Sequence, residues 1–133
     1  MPFLLTEYNV GCCLGYPQHE TAAAAAFVFR AVGELNDYVE MYSYWTFSDV
    51  FEEGGLPEVE FLGVYGAMTI SGIPKPVWTA FQLLHTHAGD HRLPTVVGPQ
   101  GNVSYISAMA TTNSSSSRGA MATTARILDL QLY

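Results

Sequence analysis

Two groups of carboxylates follow short apolar runs of this chain. Glu7 comes at the end of a run that starts at Phe3, and Glu52 and Glu53 come after the aromatic run that contains Trp45. An apolar run that stops at a carboxylate is how an α/β enzyme presents acid chemistry at the edge of its sheet. A pair of carboxylates is the machinery that cleaves a glycosidic bond. The residue types therefore indicate a carbohydrate-cleaving site, with Glu7 as nucleophile or acid/base.

The same residues also have ordinary structural explanations. Glu7 is also explained as a charged residue at a strand-to-loop boundary, and Asp49, Glu52 and Glu53 as a solvated acidic loop. Aromatic rings stack on the faces of sugar rings, but most rings of this run are expected to pack in a core. Trp45 is the candidate for sugar stacking, because it lies nearest the ligand end of its strand.

A strand, a helix and a second strand must position these residues. Residues 3–8 are apolar and bounded, which predicts a buried strand. Residues 20–36 contain an alanine run behind a capping threonine, which predicts a helix, and the aromatic residues of 39–47 predict a second strand. Such a unit implies parallel strands joined by a right-handed crossover. Both strands then end on one face of the sheet, which brings Glu7 close to Glu53.

The second half of the chain changes character. A helix is predicted over 76–88, where apolar residues recur at helical spacing between a proline and a glycine. Beyond it lie short apolar stretches at 95–97, 103–110 and 125–132, with a serine-rich connector at 111–119. These stretches predict the hairpin strands of a second, all-β module.

The composition limits the classes of partner that are expected for this chain. The net charge of −7 argues against a nucleic-acid partner, which needs basic patches, and no apolar stretch reaches the length of a membrane span. Adjacent Cys12 and Cys13 are expected to be free thiols, since neighbouring Cα atoms about 3.8 Å apart fall below the usual disulfide span. His85 and His87 are expected at the surface. No metal site and no cofactor are predicted.

Three motifs stand out along the chain: Thr6-Glu7-Tyr8-Asn9, then Tyr44-Trp45-Thr46-Phe47-Ser48-Asp49-Val50-Phe51-Glu52-Glu53, then Gly72-Ile73-Pro74-Lys75-Pro76 before a helix. Together they closely resemble glycoside hydrolase family 39, and its β-xylosidases in particular, over roughly residues 3–110. That family has a (β/α)8 TIM barrel followed by a β-sandwich, and it hydrolyses glycosidic bonds with retention. The resemblance implies an α/β chain that holds barrel strands 7 and 8 with their helices over residues 1–90. Residues 91–133 would then be a partial β-sandwich module with a serine-rich connector.

The resemblance also implies roles for individual residues. Glu7 corresponds to the catalytic nucleophile, and Glu53 corresponds to a carboxylate that binds the sugar hydroxyls. Trp45 corresponds to a ring of the sugar subsite, and His19 and Asn9 are expected to join the substrate-binding residues. The expected partner is a carbohydrate, a xyloside or a related glycoside.

The general acid of that family has no counterpart here. It is a glutamate that follows an asparagine near the end of the fourth barrel strand, and nothing in this chain matches that motif. The chain is therefore expected to be a C-terminal fragment whose partner is a missing N-terminal barrel segment, and to be inactive and aggregation-prone by itself. The alternatives are a non-catalytic carbohydrate-binding remnant and a truncated gene product without function.

Overall fold

The computed structural model describes residues 2–51, 55–96 and 107–113 as a small mixed α/β structure. Its elements, in chain order, are strand β1 (Phe3–Tyr8), a 3-10 helix (Pro17–Glu20), helix α1 (Ala22–Leu35), strand β2 (Val39–Tyr44), helix α2 (Pro76–His87), and the short strands β3 (His91–Leu93) and β4 (Ala110–Thr112). The chain divides into two compact units, Met1–Gln82 and Leu83–Tyr133. None of the described helices is both long and apolar enough to cross a membrane.

The strand–helix–strand prediction is confirmed. β1 and β2 pair in parallel, with Phe3 opposite Val39 and Tyr8 opposite Tyr44. The helix between them begins at Ala22, two residues after the predicted start at residue 20. Thr21 caps it as predicted, because its side chain accepts a hydrogen bond from the Ala23 N–H. Its small and branched side chains form the buried face: Ala24, Ala26, Val28 and Ala31.

The prediction that residues 3–8 form a buried strand is wrong in its burial. Phe3 is 72% exposed and Leu4 is 54% exposed. Among the described residues β1 pairs with β2 alone, so its other edge and most of its apolar side chains have no covering element. Only Tyr8, at the end of the strand, is buried.

The second strand ends earlier than predicted, at Tyr44 rather than at residue 47. Trp45 still donates its main-chain N–H to the Tyr8 carbonyl at 3.0 Å, but Thr46 donates to the Tyr65 carbonyl at 3.1 Å. The backbone therefore changes partner after Trp45, from β1 to the segment around Tyr65. That change ends the parallel ladder.

The second unit contains an antiparallel pair, in which β3 and β4 face each other from His91 opposite Thr112 to Leu93 opposite Ala110. Hairpin-like pairing was predicted for this region, but the first strand precedes the predicted stretch at 95–97. The start of the predicted connector at 111–119 is wrong, because Thr111 and Thr112 belong to β4. The stretch 125–132 lies outside the described residues.

Candidate active site

Glu7 is the next-to-last residue of β1, and it is exposed. Its neighbour Tyr8 points to the helical side, where its ring lies 6.1 Å from that of Phe27 in α1. The register of β1 with β2 is irregular between Leu5 and Tyr8, the stretch that contains Glu7. In a barrel of parallel strands the catalytic groups lie at the carboxyl ends of the strands, and Glu7 is near this end of β1.

Aromatic rings at the ends of the two strands pack against the helices. The Tyr44 ring lies 5.6 Å from the Tyr8 ring and 5.4 Å from that of Phe81 in α2, so these rings form the helical side. Trp45 follows the strand directly, and its ring meets the Phe51 ring edge-on at 5.5 Å. The Trp45–Thr46 peptide bond is cis. Trp45 is 36% exposed, so the described residues cover it only in part.

Asn9 ties the end of β1 to the residues after β2. Its Nδ2 donates to the main-chain carbonyls of Trp45 and of Tyr65, the latter at 3.2 Å. Its Oδ1 accepts from the Tyr44 hydroxyl at 3.1 Å and from the Val10 N–H at 2.6 Å. These four bonds use the whole capacity of a primary amide. The predicted contact of Asn9 with substrate stays a prediction, while its contacts within the chain fix Trp45 relative to β1.

His19 is fully buried, with none of its surface exposed. Its Nδ1 lies 2.8 Å from the Gly63 carbonyl oxygen, and its Nε2 lies 3.1 Å from the Gly11 carbonyl oxygen. One face of the ring packs near Tyr65, at 5.3 Å between centroids. His19 therefore joins the loop after β1 to the segment at residue 63, and its predicted contact with sugar stays a prediction.

A buried lysine holds three segments of the first unit together. Lys75 is the single lysine of the chain, and its side chain is fully buried. Its Nζ donates to Glu20 Oε1 at 2.8 Å, to Asp49 Oδ1 at 2.8 Å and to the Val64 carbonyl at 2.9 Å. The Lys75 network thus connects the 3-10 helix, the loop after β2 and the turn before α2.

Asp49 is not part of the solvated acidic loop that was one of the sequence interpretations. It is only 1% exposed, and its Oδ1 also accepts the Gly66 N–H at 2.8 Å. Burial raises the pKa of the Asp49 carboxyl, while the hydrogen bond and the charge of Lys75 act in the opposite direction. Asp49 therefore belongs to the Lys75 network and not to the acidic cluster predicted after β2.

Two glycines, at positions 63 and 66, allow main-chain segments to approach each other closely beside the Lys75 network. Gly63 has a φ of +72°, and a Cβ there would lie 2.7 Å from the Tyr16 main-chain nitrogen. A Cβ on Gly66 would collide with the main chain of Ser48 and Asp49. Gly63 also donates its N–H to Glu20 Oε1 at 2.7 Å, which binds the segment 63–66 to the Lys75 network.

The structure does not describe all the predicted site residues. Glu52 and Glu53 lie outside the described residues, so the predicted closeness of Glu53 to Glu7 stays a prediction. Across residues 2–51, 55–96 and 107–113, no three histidine, cysteine, aspartate or glutamate side chains are grouped to hold a metal ion. His85 and His87 are exposed on α2, as predicted.

Sequence reasoning missed Lys75 and Tyr65 as site residues. Lys75 carried a signal, since one lysine between two prolines in an acidic chain is unusual. Tyr65 carried none, because its hydroxyl bonds the Cys12 carbonyl at 3.1 Å across 53 positions of sequence.

Comparison with known proteins gives one consistent result. The model of the family "Glycosyl hydrolases family 39" matches residues 1–129 of this chain. The chain is 43% identical over 93 residues to a β-xylosidase of Geobacillus stearothermophilus, and 38% identical over 91 residues to one of Caldicellulosiruptor saccharolyticus. These matches cover 70% and 68% of this chain but only 18% and 19% of the two relatives.

Solved structures agree with the sequence comparison. A monomeric β-xylosidase from Caulobacter crescentus CB15 superposes with a TM-score of 0.70 at 27% identity, over 86% of this chain and 21% of its own. The GH39 enzyme from Xanthomonas axonopodis pv. citri gives the same values. These likenesses imply a TIM-barrel-containing enzyme, of which this chain spans about a fifth.

Proposed function

This chain belongs to family 39 of the glycosyl hydrolases, and from that premise we propose that it is the part of a retaining β-xylosidase that carries the nucleophile. The observation that carries the proposal is the position of Glu7. It is exposed and lies at the carboxyl end of a parallel strand. The carboxyl ends of the strands are where a TIM barrel collects its catalytic groups.

In the proposed reaction the Glu7 carboxylate attacks the anomeric carbon of a xyloside. The bond to the leaving oxygen breaks as the bond to Glu7 forms, which gives a covalent glycosyl-enzyme. Water then attacks the same carbon and releases the sugar with its original configuration. A general acid must protonate the leaving group in the first step.

The described carboxylates beside the site do not supply that acid. Glu20 and Asp49 both accept hydrogen bonds from the buried Lys75, and Asp49 is closed off from solvent. We therefore propose that the acid comes from a barrel segment outside this chain, and that this chain alone is inactive.

The remaining predicted residues take supporting or binding roles in this proposal. Trp45 offers the partly open face of its ring to the sugar, and Glu53 binds sugar hydroxyls, as the family resemblance implies. Asn9 and His19 act by position: their polar atoms already bond the chain itself, so they hold the Trp45 and residue-63 segments in place. The end of a barrel over residues 1–90 and a partial β-sandwich over 91–133 remain part of the proposal.

A hybrid enzyme tests the proposal. The N-terminal barrel portion of the Geobacillus stearothermophilus relative, joined to this chain, should hydrolyse a nitrophenyl β-xyloside. Glu7→Ala in this hybrid should abolish turnover, and added azide should restore it with a glycosyl azide of inverted configuration as product. The matched control is Glu40→Ala, which removes an exposed carboxylate from β2.

Two results would contradict the assignment. If Glu7→Ala retained near-normal turnover, or Glu40→Ala lost as much, Glu7 would not be the nucleophile. A hybrid that binds xylose, as measured by calorimetry, but never hydrolyses the xyloside would favour the second candidate, a carbohydrate-binding remnant. The partly open ring of Trp45 is the observation that favours this second candidate.

A further inference from the structure

Cys12 and Cys13 form an exposed pair of thiols on the loop after β1. Their sulfur atoms lie 3.2 Å apart, and both residues are free and exposed. This separation is closer than an ordinary contact of two sulfur atoms, and about 1.2 Å longer than a disulfide bond. The pair has no part in the proposed hydrolysis.

The loop that carries the pair is held from below. The Gly11 carbonyl bonds the buried His19 ring at 3.1 Å, and the next carbonyl, that of Cys12, accepts the Tyr65 hydroxyl at 3.1 Å. Two successive carbonyls are therefore anchored to buried side chains. The thiols remain on the outer side of the loop, side by side and open to reagents.

We propose that Cys12 and Cys13 are a redox modification site, which a small disulfide compound closes reversibly into a vicinal disulfide. The two sulfur atoms already lie close together on an anchored loop, so ring closure does not require two distant thiols to meet by random motion of the chain. The bond would be a labile one, because Cα atoms of adjacent residues lie closer than the usual disulfide span and the pair is exposed.

The step balances without further reactants. One thiol loses its proton, and its sulfur attacks a sulfur of the small disulfide, which releases one thiol and leaves a mixed disulfide. The second cysteine loses its proton and attacks the first, which releases the other thiol. The two cysteines are oxidised by two electrons, and the small disulfide is reduced to two thiols.

Either thiol can donate the hydrogen bond within the pair. The hydrogen bond with Cys12, with the charge of Cys12 adding to it, raises the pKa of the Cys13 thiol. Either sulfur can attack the small disulfide first, and the other then closes the ring.

Formation of the disulfide would affect the candidate site through Tyr65. The peptide bond between the two cysteines becomes part of the eight-membered ring, and its carbonyl is the acceptor of the Tyr65 hydroxyl. The Tyr65 ring in turn lies 5.4 Å from that of Phe51, the neighbour of Trp45. The bond from Tyr65 holds the peptide in its open-ring orientation.

Mass spectrometry tests the chemistry. The 133-residue chain, at low micromolar concentration, is incubated with excess oxidised glutathione and digested after alkylation. The account expects the peptide with both cysteines to lose two hydrogen atoms, without an adduct, and to regain them with dithiothreitol. Cys12→Ser and Cys13→Ser should each show only a mixed disulfide. Three results with the chain that keeps both cysteines would overturn the proposal: stable glutathione adducts, disulfide-linked dimers as the main product, or no reaction.

A second variant tests the link to Tyr65. Tyr65→Phe removes the hydroxyl that anchors the Cys12 carbonyl, so the rate of closure should rise several-fold. Tyr38→Phe is the matched control, because Tyr38 is 71% exposed and distant in sequence from the loop. An unchanged or slower rate in Tyr65→Phe would contradict the link. Neither readout depends on hydrolysis, so failure here and failure of the proposed function are distinguishable.

Discussion

Two tyrosine hydroxyls between the strands and the helices differ in their partners. Tyr44 donates its hydroxyl to Asn9 Oδ1 at 3.1 Å, whereas the buried Tyr8 hydroxyl has no hydrogen-bond partner in the described part of the chain. A hydroxyl that makes a hydrogen bond contributes about 1 kcal/mol to the free energy of unfolding, whereas burial of a hydroxyl without a hydrogen bond costs free energy. Tyr44→Phe should lower the free energy of unfolding by about 1 kcal/mol, and Tyr8→Phe should leave it unchanged or raise it. Urea denaturation measures both, and an equal loss in the two variants would refute the distinction.

The buried Tyr8 hydroxyl also predicts how the free energy of unfolding depends on pH in the alkaline range. Burial, with the charge of Tyr42 adding to it, raises the pKa of Tyr8 to about 12. A tyrosine in the unfolded chain ionises near 10, so the unfolded state loses its proton first. The contribution of Tyr8 is therefore complete below about pH 10 and is lost as the pH rises through about 12. Between about pH 10 and 12, urea denaturation should show a smaller loss of stability in Tyr8→Phe than in the chain that keeps Tyr8.

The sequence allowed candidate site residues to be proposed, but not the contacts that support them. Glu7 and Trp45 could be proposed because each lies near the end of a recognisable apolar run. The full use of the Asn9 amide and the burial of His19 could not, because their partners at Trp45, Tyr65 and Gly63 lie in distant segments.

At the scale of elements, the Lys75 network is the main connection between the loops. Lys75→Met would leave the buried Asp49 and the partly buried Glu20 carboxylates without their cation. Breaking such a pair from one side costs about 3–5 kcal/mol, whereas an exposed pair contributes at most about 1 kcal/mol. Arg30→Met is the matched control, because it removes the exposed pair of Arg30 with Glu34 within α1. Similar losses in the two variants, measured by urea denaturation, would contradict the role given to the network.

The loss in Lys75→Met should also depend on pH. Burial raises the pKa of Asp49, and Lys75 opposes that rise, so removal of Lys75 raises it further. Protonation then removes the uncompensated charge of the folded variant. The difference between variant and unmodified chain should therefore shrink as the pH falls from about 7 toward about 4, the ordinary range of carboxyl groups. A difference that stays constant over this range would exclude an electrostatic origin.

The strand–helix–strand unit was predictable because its signals are local: an alanine run, a threonine cap and two apolar runs. The early end of β2 at Tyr44 was not, because the residues that replace its ladder partner lie near Tyr65. The Lys75 network was also beyond local patterns, since Lys75 bonds residues 55 and 26 positions away.

At the scale of the whole molecule, the described surface has apolar side chains that a single domain would normally bury. Phe3, Leu4 and Met41 are each more than half exposed on the two strands, and the outer edge of β1 has no partner among the described residues. Such an edge pairs with other chains. In sedimentation or light scattering, the isolated chain should associate as its concentration rises, and the hybrid with the N-terminal barrel portion should not. A chain that stays monomeric at high concentration would contradict this.

The central claim is that Glu7 forms the covalent bond to sugar, and trapping of that bond tests it most directly. A 2-fluoro xyloside with a dinitrophenolate leaving group needs no acid to depart, and the fluorine slows the release by water. Incubated with the hybrid enzyme and analysed by peptide mass spectrometry, it should label Glu7 alone, with Glu7→Gln unlabelled. A label on Glu53 or on another carboxylate, with Glu7 unmodified, would contradict the account.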